Sequence, residues 1–295
     1  MKLAVFTKNR SNPAYEAARI GADRAAAEFG AEVLHFVPKT PDDPEQQSAL
    51  IDAALAQAPD AIVLSPVHAT RVDAAIRRIH AAGVPIVGFV NPVRAAPMVA
   101  YVGADDGRLA SDVARFLFGH MGGAGRVLIV GGHVDSVTSV ARLDAFERAV
   151  AEAPCIELVG RCVGDYQREV ARRATQAWLD AHTEAPDAFL VANDIMAMGV
   201  IDVLRAADRQ ALVVGVNAIP EAIRAIGDGQ LLATADFNAM QMAYTATECA
   251  CRYLRGDRVP TQIELPVELV DAGNFRRWDM PYAARSVMKL EEALA

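Results

Sequence analysis

Short apolar runs alternate with amphipathic segments along most of the chain. The first such pair is the run at residues 3–6, followed by a segment that begins at Pro13 and stops at Gly30. An apolar run of this length is typical of a strand buried on both faces of a sheet, and apolar positions three and four apart predict a helix. Asn12 before Pro13 predicts the start of that helix, and Gly30 predicts its end.

The same alternation continues with short links, which predicts parallel sheets with right-handed crossovers. It is broken at residues 99–106, a predicted strand that follows the strand at 85–90 with no helix between. The predicted strands cover residues 3–6, 32–37, 61–64, 85–90, 99–106, 126–131, 156–163, 189–192, 212–216, 231–236 and 263–270. The predicted helices cover residues 13–29, 72–82, 107–120, 137–151, 167–181, 221–226 and 239–254, with two more beginning near 41–44 and at 194.

The stretch from Phe189 to Leu204 carries the first chemical signal. An apolar run ends at Asn193 and Asp194, and apolar residues then recur at helical spacing. We predict that Asp194 is the N-cap of the helix, which leaves the Asn193 amide at the carboxyl end of a strand, where open α/β sheets bind ligands. An amide both donates and accepts, so it suits a hydroxyl ligand, although Asn193 could equally satisfy only the turn.

The pattern Asn193-Asp194-x-x-Ala197-x-Gly199 resembles a motif of the type I periplasmic binding proteins, especially their ribose-binding branch. It is also similar to the effector domains of lactose-repressor-type regulators. The resemblance extends over nearly the whole chain up to about Val270. Residues 271–295 form a longer end than the ribose-binding branch has, and we expect an extra helix there, packed on one lobe.

The resemblance implies a fold of two similar doubly wound parallel-sheet lobes joined by a three-strand hinge. Residues 99–106, 231–236 and 263–270 would be the crossings. The N-terminal lobe would comprise residues 1–103 and 238–265, and the C-terminal lobe residues 104–237 and 266–295. A ligand cleft would lie between the lobes and close on binding.

The family's ligand contacts can be carried over to matching positions of this chain. The candidate site residues are Asn12, Tyr15, Asn91, Arg142, Tyr166, Asn193, Asn217, Asp236 and Phe237. The resemblance implies that Tyr15 and Tyr166 stack on a sugar ring and that Arg142 forks onto ligand oxygens. Each residue also has a plain structural interpretation: the tyrosines and Phe237 as packing residues, and Arg142 as a solvated helix residue.

Two departures from the family pattern concern charge. Val90 and Asn217 stand where the family commonly has Asp, whereas Arg142 is kept. A buried Arg requires a counter-charge, because desolvating it costs several kcal/mol. We expect either an acidic ligand or a carboxylate of the protein, with the candidates Asp135, Asp165 and Asp236; Asp105 and Asp106 are predicted to be helix caps.

Composition limits the class of protein. The chain has 295 residues, 53% of them hydrophobic and 22% charged, which is enough for two globular domains, and its net charge of -8 argues against a nucleic-acid surface. No apolar run is long enough to span a bilayer. Met1 and Lys2 lead directly into the first strand, so we expect either a cytoplasmic chain or, as the resemblance implies, the mature form of a periplasmic protein.

Catalytic and metal signatures were not found. The chain has no G-x-S-x-G, H-E-x-x-H, P-loop or G-x-G-x-x-G after a strand, and its four cysteines have no zinc spacing. We therefore expect no enzyme activity, no cofactor and no metal. The favoured function is a monomeric solute-binding protein that delivers a sugar or polyol-like ligand, neutral or acidic, to the membrane permease subunits of an ABC importer. The alternative is a ligand-sensing domain related to lactose-repressor-type regulators.

Overall fold

The computed structural model describes residues 1–294 as two compact α/β units, each built around one six-stranded sheet. The first unit comprises Met1–Ala104, Asn238–Pro266 and the chain from Tyr282 onward, and the second comprises Asp105–Phe237 and Val267–Pro281. The predicted α/β class with two parallel-sheet lobes is therefore confirmed.

The first unit has a wholly parallel sheet with the strand order β11-β5-β4-β3-β1-β2. Its strands are β1 (Lys2–Phe6), β2 (Glu32–Phe36), β3 (Ala61–Leu64), β4 (Ile86–Phe89), β5 (Ala100–Gly103) and β11 (Gln262–Glu264). Its helices are α1 (Pro13–Phe29), α2 (Pro44–Leu55), α3 (Asp73–Ala81), α9 (Ala239–Leu254) and α10 (Leu290–Ala293), with a short 3-10 turn at Tyr282–Ala284.

Helix α1 begins and ends as its sequence predicts. The Asn12 side chain accepts a hydrogen bond from the backbone N–H of Ala14 at 3.0 Å, and Gly30 ends the helix in the left-handed conformation with φ 63°. The apolar face of α1 packs closely against α9. At Gly21 the two helices are so close that any side chain there would overlap the backbone of Met240. The predicted signals therefore fix the length of α1, whereas its close approach to α9 depends on Gly21, which the sequence analysis did not single out.

The second unit has the strand order β12-β10-β9-β8-β6-β7, parallel except for β12, which runs antiparallel to β10 at the edge. Its strands are β6 (Gly125–Gly131), β7 (Ile156–Val163), β8 (Ala188–Val191), β9 (Leu212–Val216), β10 (Ala233–Asp236) and β12 (Glu268–Asp271). Its helices are α4 (Asp106–His120), α5 (Val137–Ala151), α6 (Arg168–Ala181), α7 (Asp194–Ala206) and α8 (Pro220–Gly227), with a 3-10 turn at Phe275–Arg277.

The predicted third crossing, residues 263–270, is two strands rather than one. β11 belongs to the first unit and β12 to the second, and Pro266 lies between them. Proline has no backbone N–H to give to a sheet, so the ladder stops there.

The assignment of residues 266–295 to the C-terminal lobe is wrong for the last part of that range. Residues 267–281 belong to the second unit, but from Tyr282 onward the chain packs on α1 and α9 of the first unit. The chain thus passes between the units a fourth time, after Pro281, in addition to the three predicted passages.

Buried polar side chains of the first unit hold this C-terminal segment. Gln241 donates to the Met288 carbonyl and accepts from its N–H, both at 2.7 Å, and the Glu248 carboxylate accepts from the Leu290 N–H at 3.0 Å. Lys289 forms an ion pair with Glu28. An extra helix does occur, as predicted, but it is the single turn α10. The segment's attachment depends on side chains far away in sequence, which the local pattern of residues 271–295 could not reveal.

Candidate ligand-binding site

Polar side chains collect at one edge of the second sheet. Asn193, Asn217 and Asp236 follow or end three adjacent parallel strands, β8, β9 and β10. The carboxyl ends of parallel strands meet at the same edge of a sheet, and ligands of open α/β sheets bind at that edge. The structure therefore places these three predicted site residues side by side along the sheet.

Asn193, and not Asp194, is the N-cap of α7. Its Oδ1 accepts a hydrogen bond from the Met196 N–H at 3.0 Å, and its backbone is extended, as an N-cap requires. The predicted cap is thus displaced by one residue. Only half of the amide is used, because Nδ2 of Asn193 is buried and has no hydrogen-bond partner among residues 1–294. The turn and the ligand interpretations are consequently compatible.

Asp194 is completely buried and ties three segments together. Its carboxylate accepts from the Ile219 N–H at 3.0 Å and from the Thr234 hydroxyl at 2.7 Å. Burial raises the pKa of the Asp194 carboxyl to about 7, despite these two donors and the charge of Arg142. Asp194 therefore joins the start of α7 to the start of α8 and to β10, beneath the polar edge.

Asn217 lies at the end of β9 in a strained conformation. Its φ is 125°, in the region that favours glycine, and its Oδ1 is buried without a hydrogen-bond partner in the described part of the chain. Ala218 next to it also has a positive φ, as do Asp165 and Tyr166 after β7 and Val90 after β4. Such strain costs about 1–3 kcal/mol per residue and collects at ligand sites.

Arg142 reaches the same edge from the first turns of α5. It is buried, its Nε donates to Asp106 Oδ1 at 2.7 Å, and its Nη1 donates to the Ala192 carbonyl at 2.7 Å. The guanidinium carbon also lies 5.3 Å from the centre of the Phe237 ring. Arg142 is therefore not a solvated helix residue, and Phe237 has a polar neighbour as well as packing contacts.

The protein supplies a counter-charge for Arg142, which removes the reason for expecting an acidic ligand. The carboxylate comes from Asp106, which the sequence pattern assigns to a helix cap. In the structure Asp105 is the cap of α4, since its Oδ1 accepts from the Arg108 N–H at 2.8 Å, and Asp106 faces Arg142 instead. Their separation of 36 residues explains why no local pattern indicates the pair.

Tyr166 is half-buried in the loop after β7. Its hydroxyl lies 3.1 Å from Thr138 Oγ1, and its ring covers Gly132, where any side chain would overlap it. The glycine at the end of β6 thus makes room for this ring. The stacking on a sugar ring that the resemblance implies for Tyr166 stays a prediction.

Asp236 has a partner that the sequence analysis missed. Trp278, from the chain after β12, donates its indole N–H to Asp236 Oδ2 at 2.7 Å, and both side chains are buried. Nothing in the local sequence around Trp278 indicates this role. The two residues are 42 positions apart in the chain, and only the fold brings them into contact.

Three predicted residues lie in the first unit, at the corresponding edge of its sheet. Asn12 caps α1 through its side chain, Tyr15 is buried in the first turn of α1, and Asn91 follows β4. The Asn91 Nδ2 donates to the Pro66 carbonyl at 2.8 Å, and its Oδ1 is buried with no hydrogen-bond partner within residues 1–294. The buried Lys8, another residue that was missed, pairs with Asp42 at 3.1 Å.

The unpaired amide atoms define what the candidate site can bind. In the second unit Asn193 Nδ2 is a donor and Asn217 Oδ1 is an acceptor, and a buried polar atom without a partner costs about 1–3 kcal/mol. A hydroxyl both donates and accepts, so one class of ligand satisfies both. In the first unit, Asn91 Oδ1 is likewise an acceptor. Among the described residues, no group of His, Cys, Asp and Glu could hold a metal ion, and no helix is long and apolar enough to cross a bilayer.

Comparison with known proteins gives a consistent result. Residues 3–258 match the family model described as a periplasmic binding protein domain. The ribose import binding protein of Bacillus subtilis is 23% identical over 267 residues, which cover 90% of this chain and 85% of that protein.

Solved structures resemble this chain over almost its full length. An ABC transporter periplasmic solute binding protein from Actinobacillus succinogenes, with bound D-allose, has a TM-score of 0.87 at 25% identity and covers 93% of this chain and 99% of its own. An ABC transporter solute binding protein from Mycobacterium smegmatis, with bound glycerol, has a TM-score of 0.86 at 27% identity. The match covers 94% of this chain and 96% of that protein. The relatives compared are thus binding proteins.

Proposed function

The chain belongs to the family of periplasmic binding protein domains, and on that premise we propose that it binds a small neutral sugar or polyol for an ABC importer. The observation that carries the proposal is the pair of buried, unpaired amide atoms on Asn193 and Asn217, at the carboxyl edge of the second sheet. Relatives named for ribose, or solved with D-allose or glycerol, have ligands rich in hydroxyl groups.

A neutral ligand fits the electrostatics better than an acidic one. The buried guanidinium of Arg142 already has the Asp106 carboxylate at 2.7 Å. A ligand carboxylate could accept from Asn193 Nδ2 but could not donate to Asn217 Oδ1, whereas a hydroxyl can do either. Placing a second carboxylate near Asp106 and Asp236 would also add like-charge repulsion.

The remaining predicted site residues have roles within this proposal. Tyr166 would stack on a ring or cover its apolar face, and Asp236 would accept from a hydroxyl. Tyr15 would offer an aromatic side chain in the first unit. Asn12 would act mainly through the start of α1, since its Oδ1 already accepts from Ala14. The monomer would present its ligand to membrane permease subunits in the periplasm.

A ligand screen by thermal denaturation tests the proposal. Each neutral compound, namely D-ribose, D-allose, myo-inositol, xylitol and glycerol, would be compared with acids such as D-ribonate and glycerate. A ligand at a hundred times its Kd adds about 2.7 kcal/mol to the stability of the folded state, so the midpoint should rise by several degrees. We expect a rise with at least one neutral compound; a rise with the acids alone would contradict the proposal.

The variant Asn193→Asp tests whether the unpaired amide of Asn193 binds the ligand. It keeps an oxygen to cap α7 and removes the Nδ2 donor, so the fold should survive while a ligand oxygen that accepts from Nδ2 loses its donor. Losing such a contact costs about 1–3 kcal/mol, which corresponds to a tenfold or greater loss of affinity. Calorimetric titration measures it, and Asp202→Asn, on the same helix but paired with Arg168, is the control.

A further inference from the structure

The chain after β12 brings Trp278 to the edge of the sheet that carries the candidate site. β12 runs antiparallel to β10, with Glu268 opposite Asp236, and so leads away from that edge. A turn then reverses the chain: Asn274 accepts from the Asp271 N–H at 2.9 Å and donates to the Leu269 carbonyl at 2.8 Å. The return brings Trp278 back to Asp236, beyond the residues that the family model matches.

The Trp278 ring is held in place on more than one side. Its backbone N–H donates to the Phe275 carbonyl at 2.8 Å, and the guanidinium of Arg277 lies 4.8 Å from the centre of the ring. Arg277 is itself held by Glu268 at 2.9 Å, on the strand that pairs with β10. The indole N–H therefore reaches Asp236 from a fixed direction.

Asp236 occupies a position where its orientation affects ligand binding. It ends β10, next to the end of β9 with Asn217, and it precedes Phe237, whose ring lies under the Arg142 guanidinium. A carboxylate has two oxygens that accept from separate directions, and a strong donor on one of them fixes where the other points. Trp278 donates to Oδ2, so it helps to fix the orientation of the Asp236 carboxylate.

We propose that Trp278 is a positioning residue of the ligand site, which orients the Asp236 carboxylate and thereby sets affinity and selectivity for hydroxyl ligands. This inference rests on the proposed function, because it assigns a role within that same site. It also gives a function to part of the C-terminal segment: residues 267–281 complete the site of the second unit.

The test is a comparison of Trp278→Phe with the wild-type protein, by calorimetric titration with each compound of the neutral panel named above. Phenylalanine keeps an aromatic ring but has no N–H. We expect about tenfold weaker binding, since the contact from a misoriented Asp236 to a ligand hydroxyl is weakened or lost, and losing such a contact costs about 1–3 kcal/mol. We also expect altered affinity ratios among the panel compounds, which a purely structural role would not produce.

Trp178→Phe is the matched control, because it makes the same substitution at the only other tryptophan of the sequence. Trp178 stacks on His182 in the region of α6, with ring centres 4.0 Å apart, and is not part of the site. Its replacement should leave affinity unchanged. It also leaves Trp278 as the sole tryptophan, so a change in tryptophan emission, excited at 295 nm or above where tyrosine absorbs little, on replacing Asp236 by Ala reports the contact without any ligand.

A double-mutant comparison separates action through Asp236 from other effects. In a background of Asp236→Ala, Trp278→Phe should cause little further loss of affinity, since the group that it orients is gone. Equal affinity and equal ratios in wild type and Trp278→Phe would refute this inference and leave the proposed function intact. Failure of every panel compound to bind the wild-type protein would refute the proposed function and, with it, this inference.

Discussion

The buried carboxyl of Asp194 makes the stability of the second unit depend on pH. A pKa of about 7 in the folded state, against an ordinary value of 3.8, corresponds to about 4 kcal/mol at ~1.4 kcal/mol per pH unit. Because burial is the main cause and raises the pKa, the folded state keeps a proton that the unfolded chain releases. The contribution of the protonated Asp194 to the free energy of unfolding is complete below about pH 4 and is lost as the pH rises through about 7.

Asp194→Asn isolates this contribution. Asparagine can accept from the Ile219 N–H and donate to the Thr234 hydroxyl, which keeps both contacts without a charge to desolvate. Between pH 5 and pH 8 the Asp194 carboxyl should account for a loss on the order of 2–3 kcal/mol in the free energy of unfolding of the wild-type protein. The variant should lack that part of the pH dependence.

Urea unfolding followed by tryptophan fluorescence is a suitable assay, because Trp178 and Trp278 both lie in the second unit with Asp194. Other carboxylates also titrate, so the measured quantity is the difference between wild type and variant at each pH. Asp202→Asn, on the same helix, should retain the wild-type pH dependence. If wild type and Asp194→Asn lose the same free energy between pH 5 and pH 8, the reasoning from burial is wrong.

Three further predictions concern the packing around the site and the C-terminal segment. Arg142→Lys should destabilise the second unit by about 2–4 kcal/mol in urea unfolding, because a lysine cannot bond both Asp106 and the Ala192 carbonyl from one planar group; an unchanged midpoint would contradict this. Gly132→Ala should displace the ring of Tyr166 and weaken titrated ligand binding tenfold or more, whereas Gly119→Ala, where a side chain meets nothing, should not. Ending the chain after Pro281 should lower the thermal midpoint by several degrees by removing the partners of the buried Gln241 and Glu248, and retention of the full midpoint would show that the segment only rests on the surface.

The order and limits of most elements could be predicted from sequence, because the causes are local. The Asn12–Pro13 start and the Gly30 end of α1 act within one helical turn, and apolar runs such as the one in β3 need only a buried sheet around them. The displaced cap at Asn193 shows the limit of such signals: two adjacent residues can both cap, and the backbone conformation decides between them.

Asn193 was accessible to sequence reasoning, since a strand's carboxyl end follows from its limits, and the other candidates at strand ends came from the resemblance to the family. The partners of the buried charged residues were not accessible in this way. Asp106 for Arg142, Trp278 for Asp236 and Thr234 for Asp194 lie 36, 42 and 40 residues away. Hydrogen bonds and ion pairs act over a few ångströms in space, and no periodicity in the chain encodes which distant side chains meet.

Local sequence thus determined the alternation of strands and helices, the class of fold and the edge of each sheet that carries polar groups. Only the tertiary structure decided how those groups are satisfied: which charge neutralises Arg142, which carboxyl is buried enough for its pKa to rise to about 7, and where the chain after Val270 packs. The physical reason is that propensity and capping depend on neighbours in sequence, whereas desolvation and pairing depend on neighbours in space.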